Sequence, residues 1–320
     1  MIRTHDEVEF EAVVRSKEML SEGVISVEFT RRDGGSMPPW TPGSHIDIEL
    51  PEGLVRQYSL CGDPNDLTSW QIAVLLEAES RGGSRFLHDK LNAGDPVRLK
   101  GPRNHFVLET SCDRILFIAG GIGITPILTM VEEASRFGLD WELVYGGRTR
   151  ASMAFVDDLV ERYGDRVRVL PEDETGLLPL AELLSEVVPG RLIYCCGPEA
   201  LISAVEDGAR SWPTGTLRME RFSPRVEEVD KPTSFEVEIG STGQIIAVGE
   251  ETSALDALTN AGFQIEASCT EGVCGTCETG VLSGTPLHLD SVLTDDERES
   301  NETMFPCVSR AKSPRITLDL

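Results

Sequence analysis

Four cysteines constrain this chain more than any other feature. Cys269, Cys274 and Cys277 stand in "CTEGVCGTC", a C-x4-C-x2-C spacing, and Cys307 follows alone in "FPCVSR". Thiols set this close hold a metal or cluster, form disulfides, or pack. A chain of 320 residues buries enough apolar surface to fold without cross-links, which argues against a disulfide scaffold. The opening stretch, "MIRTHDEVEFEAVVRSKEML", lacks a basic flank followed by an apolar run. A cytoplasmic location is therefore expected, where thiols stay reduced and clustered cysteines mean metal or redox chemistry. Zinc is the rival to iron, but zinc ribbons pair two C-x2-C knuckles, and Cys307 has no cysteine near it. A C-x4-C-x2-C run with a distant fourth cysteine is the spacing of a [2Fe-2S] cluster, with Cys269, Cys274, Cys277 and Cys307 as ligands. Gly272, Gly275 and Thr276 let the loop wrap and aim backbone N–H groups at sulfur.

Charge narrows the partners. With 54 acidic against 29 basic residues the formal net charge is −25. Such a surface repels phosphate backbones and anionic membranes, so nucleic acid and membrane are both excluded as expected partners. No apolar run approaches the roughly 18 residues of a membrane span.

The texture of the chain changes twice. Residues 1–110 carry short alternating segments such as "VISVEF", "HIDIEL" and "WQIAVLLE", broken by turns like "DGGSMPP", as in an antiparallel barrel or sandwich. Residues 111–224 alternate buried-type strands, "RILFIAGG" and "RLIYCCG", with helical stretches, "TPILTMVEEASRFG", "LAELLSEVV" and "PEALISAVEDGARSW", the βαβ pattern of a parallel sheet. Residues 225–233 read as a linker. Residues 234–320 form a small domain with a hairpin, "SFEVEIGSTGQIIAVG", a helix, "SALDALTNAG", the cysteines, and a closing strand, "RITLDL".

A cluster needs a source of electrons, and the first two segments carry motifs that fit one. In "RQYSLCGDP", strand alternation puts Arg56 and Tyr58 on one face, a cation for phosphate and an aromatic for a flavin ring, beside Ser59. Gly82, Gly83 and Ser84 precede a helical segment and suit a phosphate cradle. "FIAGGIGITPILTM" runs a strand into Gly120, Gly121 and Gly123, with Thr125 placed to cap the next helix and Pro126 in its first turn. Pro126 replaces the last glycine of the dehydrogenase G-x-G-x-x-G fingerprint, and no acid ends the following strand, "ELVYGGRT".

Taken together these motifs resemble the ferredoxin–NADP reductase superfamily, in the arrangement of phthalate dioxygenase and vanillate demethylase reductases with a C-terminal plant-type ferredoxin domain. The resemblance covers essentially the whole chain. It implies a multidomain α/β and β fold: an antiparallel Greek-key β-barrel for flavin, a Rossmann-like nucleotide-binding α/β domain, and a β-grasp ferredoxin domain. On that resemblance "YCCGPEALISAV" places Cys196, Gly197 and Pro198 at the nicotinamide, with Cys196 and Thr125 as the candidate catalytic residues and Cys195 in the core. Phe222, in "ERFSP", lies over the flavin or in the core. The implied cofactors are FMN, with FAD the alternative, the [2Fe-2S] cluster, and NADH. NADPH is the alternative coenzyme, since Arg148 and Arg150 suit a 2′-phosphate. The implied role is a reductase delivering electrons to a separate oxygenase component with a Rieske-type centre. Reduction of a cytochrome P450 and a non-enzymatic iron–sulfur sensor are the competing functions. Fifteen acids against four bases in 234–320 suggest an acidic dock for the acceptor, with Asp295, Asp296 and Glu297 in it.

Overall fold

The computed structural model describes residues 7–77, 82–224 and 233–320; most of the expected linker, 225–232, lies outside them. Two compact units divide at Glu220 and Arg221.

In the first unit, β1 (Val8–Ser21), β2 (Val24–Arg31), β3 (His45–Leu50), β4 (Leu54–Ser59), β5 (Trp70–Leu75) and β6 (Pro96–Arg103) form one antiparallel sheet, with α1 (Gly83–Asp89) between β5 and β6. The strand order is β4-β3-β6-β1-β2-β5, and a bridge between Leu60 and Ile72 joins its two edges. β6 returns to lie between β1 and β3, a Greek-key path. Alternating residues, among them Ile46, Ile48, Val27, Phe29, Ile72 and Leu99, fill the interior around Trp70.

A second sheet follows, wholly parallel, in the order β11-β10-β7-β8-β9. Its strands are β7 (Arg114–Gly120), β8 (Asp140–Gly147), β9 (Val167–Pro171), β10 (Arg191–Cys196) and β11 (Leu217–Glu220). The helices are α2 (Ile124–Arg136), α3 (Val156–Tyr163), α4 (Glu172–Thr175), α5 (Leu180–Leu183) and α6 (Glu199–Gly208). α2 presents Ile127, Met130, Val131 and Ala134, a helical i, i+3, i+4, i+7 stripe, to one face of the sheet. Ile202 and Val205 of α6 cover the other. The expected helix "LAELLSEVV" is a single turn, because the Pro179 N-cap starts it and the chain leaves helical geometry at Leu184. Strand order reverses between β7 and β10, so a crevice opens at their C-terminal ends. Within this unit Ile122, Leu128, Ala154 and Phe155 share a small apolar cluster with Val24, Cys61 and Ala73 of the barrel.

The second unit holds β12 (Phe235–Ile239), β13 (Ile245–Val248), α7 (Ala254–Asn260), β14 (Thr279–Ser283), β15 (Pro286–Leu287), α8 (Asp295–Ser300), β16 (Thr303–Met304), β17 (Arg310–Ala311) and β18 (Arg315–Leu318). The main sheet runs β13-β12-β18-β14-β16, with β12 and β18 parallel. α7 starts at Ser253, whose hydroxyl accepts the Asp256 N–H at 3.0 Å, and buries Ala254, Ala257 and Leu258 with the sheet. This is the β-grasp arrangement. Among the described residues no helix is long and apolar enough to cross a membrane.

Candidate functional site

On β4, Arg56 pairs with Ile48 and Tyr58 with Ile46, while Gln57 and Ser59 pair with Asp47 and His45 on the other face. α1 starts beneath Arg56: a Cβ added to Gly83 would lie 2.6 Å from Arg56 Cγ. Ser84 is buried and its hydroxyl accepts the Glu77 N–H at 3.3 Å. Arg56, Gly82, Gly83 and Ser84 are thus brought together, with a guanidinium lying across glycine backbone. At the far end of α1, Lys17 Nζ donates to the carbonyls of His88 and Leu91, which neutralises the negative end of the helix.

The glycine-rich turn after β7 meets the turn after β10. A Cβ on Gly123 would fall 2.3 Å from the Cys196 carbonyl oxygen, and one on Gly197 would fall 3.1 Å from Gly120 Cα. A Cβ on Gly120 would strike Pro198 and Leu201. Only glycine lets these backbones touch. Gly121 differs: it has φ +53° and faces open space, room a pyrophosphate would fill. Thr125 does not cap α2. The N-cap is Gly123, and the Thr125 hydroxyl donates instead to the Ile122 carbonyl at 3.0 Å, bracing the turn from within. Pro126 falls in the first helical turn.

Cys196 and Glu220 end adjacent strands and are register partners. Cys196 is fully buried in the layer shared with α2, and Cys195, one residue away, faces the opposite layer. Burial, then the Glu220 and Cys195 groups beside it, hold the Cys196 thiol well above its usual range. Burial also pushes the Glu220 carboxyl up to about 8, with Ser59 beside it acting in the opposite direction. Among the described residues, buried Ser59 Oγ and Glu220 Oε2 have no hydrogen bond of ordinary geometry. Buried polar atoms without partners are rare and costly. The edge of a flavin ring, a row of polar atoms, fits between such groups.

In the second unit the four cysteines are free, with Cys274, Cys277 and Cys307 buried and Cys269 half-buried. They influence one another's ionisation: the neighbouring thiol lowers Cys274 and Cys277 and raises Cys269 and Cys307. Backbone and hydroxyl donors turn toward sulfur: the Glu271 N–H lies 3.3 Å from Cys269 Sγ and the Thr276 hydroxyl 3.2 Å from Cys274 Sγ. Among the described residues no three His, Cys, Asp or Glu side chains converge on one ion. The C-x4-C-x2-C spacing with a lone fourth cysteine suits a [2Fe-2S] cluster better than the paired C-x2-C knuckles of a zinc ribbon.

Comparison with known proteins identifies two domains of the chain. Residues 117–207 match the oxidoreductase NAD-binding domain model and 237–312 the 2Fe-2S iron-sulfur cluster binding domain model. The chain is 40% identical over 315 residues to a vanillate O-demethylase oxidoreductase of Pseudomonas sp. (strain HR199 / DSM 7063), covering 97% of this chain and 99% of that one. The solved phthalate dioxygenase reductase, described as modular for electron transfer from pyridine nucleotides to [2Fe-2S], matches at 34% identity and TM-score 0.70 over 98% of both chains. The chain belongs to the phthalate dioxygenase reductase family. An intact self-sufficient cytochrome P450 monooxygenase matches at 41% identity and TM-score 0.93 over 98% of this chain, which spans only 41% of that fused protein.

Like its family, the chain is an oxidoreductase with NAD-binding and [2Fe-2S] domains. Sequence reasoning missed Glu220. Its signal was faint, a single acid at the end of a short strand in "RMERF", and only the pairing of β10 with β11 sets it beside Cys196. Phe222, 42% exposed, is not a core phenylalanine. Arg150 bonds to Asp157 at 3.1 Å. Glu297 accepts the Thr294 N–H and hydroxyl in a capping box at the start of α8, so its carboxylate is already engaged.

Proposed function

We propose that this protein takes electrons from NADH through FMN to a [2Fe-2S] cluster on Cys269, Cys274, Cys277 and Cys307, and delivers them to a separate Rieske-type oxygenase. The observation that supports this is the pairing of Cys196 with Glu220, whose carboxyl lies beside Ser59 of β4, consistent with the turn after β10 and the strand β4 serving one site. When bound, the flavin accepts a hydride and the cluster carries single electrons. The protein's own work is orientation. Arg56 with the Gly82–Gly83–Ser84 turn holds the flavin phosphate and Tyr58 packs on its ring. Gly120, Gly121 and Gly123, with Thr125 and Pro126 shaping the turn, admit the pyrophosphate, and Cys196, Gly197 and Pro198 seat the nicotinamide. Glu220, neutral near pH 7, has a proton to donate to a buried partner.

NADH is favoured over NADPH on charge. Arg150 is held by Asp157, and the Asp173 N–H donates to the Arg148 carbonyl, setting the run Glu172, Asp173, Glu174 beside the arginine loop. A 2′-phosphate would meet these acids. FMN is favoured because no adenine-binding motif accompanies the barrel. A visible spectrum before and after anaerobic NADH, with the extracted flavin chromatographed and iron and sulfide assayed, tests the proposal. Flavin and iron–sulfur absorption bleaching together is expected; a colourless, zinc-containing protein overturns it. The fused P450 relative supports a second acceptor, a cytochrome P450. Pairing the pure protein with each oxygenase class separates the two. The acidic dock is tested at Asp296, since Glu297 serves as a cap: an Asp296→Asn protein with unchanged rate and salt dependence of acceptor reduction excludes that side chain.

A further inference from the structure

Asp290 is fully buried in the second unit, and its contacts link the two segments that carry the cysteines. Its Oδ2 accepts the N–H groups of Val292 and Leu293 at 3.1 and 2.9 Å, and the Ser309 hydroxyl donates to Oδ1 at 3.5 Å. Ser309, two residues past Cys307, also accepts the Leu289 N–H at 3.2 Å. Arg298 donates to the Asp290 and Leu293 carbonyls, fixing the turn from outside. His288 closes the remaining side, with Nδ1 3.8 Å from Asp290 Oδ1.

The cysteine loop crosses directly over this turn. Gly272 has φ +71°, and a Cβ there would lie 2.6 Å from Val308 Cγ2 and 3.1 Å from Asp290 Cα. The Gly272 carbonyl accepts the Ser291 N–H at 2.8 Å, and the residue before it, Glu271, donates its N–H to the Cys269 sulfur at 3.3 Å. Two consecutive residues, Glu271 and Gly272, therefore link a cysteine sulfur to the Asp290 turn. Hydrogen bonds to cluster sulfurs are a principal control of potential.

We propose that Asp290 is a positioning residue for the cluster: it braces the Glu271–Gly272 stretch, whose Glu271 N–H faces the Cys269 sulfur, against the segment that carries Cys307. This rests on the four cysteines holding a [2Fe-2S] cluster. Loss of the brace lets the N–H···S contact lengthen, which disfavours the reduced cluster.

The test compares Asp290→Ala with Asp290→Asn in the full-length holoprotein, by redox titration followed with low-temperature EPR. Both lose the carboxylate charge, but Asn keeps an acceptor for the Val292 and Leu293 amides, so their difference reports the brace. Asp290→Ala is expected to titrate at a more negative potential than Asp290→Asn. The expected difference is roughly tenfold in the reduced-to-oxidised ratio, about 59 mV for one electron, and the alanine protein's EPR lines should broaden. Equal potentials and linewidths in the two variants overturn the proposal. A role confined to fold support would lower iron content without moving the potential of the loaded fraction, and that result also overturns it. If the alanine protein does not load, Ser309→Ala replaces it: a smaller negative shift supports the brace and an unchanged potential refutes it. Wild-type protein without the EPR signal of a reduced [2Fe-2S] cluster would mean instead that the cluster assignment has failed.

Discussion

A carboxyl group held up at about 8 leaves a signature in stability. Unfolded, Glu220 ionises near its ordinary 4.5; folded, it stays protonated to about 8. The folded state therefore binds the extra proton between those values, so stability falls as pH rises through that window and levels off above it. Glu220→Gln, uncharged throughout, should flatten that decline, as read from melting temperatures between pH 5 and 9. A Gln variant with the wild-type slope would show that Glu220 titrates normally. The glycines allow an equally local test. Gly123→Ala drives a Cβ into the Cys196 carbonyl, backbone against backbone, at a cost of about 1–3 kcal/mol. Its KM for NADH should rise sharply. Gly121→Ala meets no atom and carries only the left-handed penalty, about 1–2 kcal/mol. Steady-state kinetics that rank the two the other way would displace the turn-to-turn contact as the reason for glycine.

At the scale of elements, β4 and α1 act as one device, since the Arg56 side chain covers the first residues of the helix. Arg56→Ala removes charge-assisted bonds to a flavin phosphate, worth about 1.5–3 kcal/mol, roughly ten- to hundredfold in flavin affinity. Flavin fluorescence on dilution reads this directly; unchanged retention would place the phosphate elsewhere. Legibility in the sequence followed the same divide between local and assembled features. The C-x4-C-x2-C run, the glycine turn and the R-x-Y-S stretch stand out in the sequence because their residues are neighbours in the chain. Glu220 and Asp290 do not, because strand pairing and loop crossing bring them to their places. Thr125 was misread for a related reason: whether a threonine caps a helix or braces the preceding turn depends on where the helix begins, and α2 begins one residue before it.

For the whole molecule, the nucleotide turns and the flavin strand fall in one compact unit and the cysteines in another. Cys307→Ser should therefore abolish reduction of cytochrome c, an acceptor served by the cluster, while NADH-driven reduction of ferricyanide, an acceptor the flavin can serve directly, survives. Loss of both activities would show that the cluster is needed for the flavin unit to work. The contact between Gly120 and Gly197 bears on how such a protein is re-engineered or diversified. Two backbones that touch leave no side chain to vary, so neither turn accepts change unless the other retreats. Libraries aimed at coenzyme exchange would do better to hold both turns constant and randomise Arg148, Arg150, Asp157 and Asp173. Natural drift in coenzyme preference faces the same restriction, with variation channelled to the rim of the crevice and away from its floor.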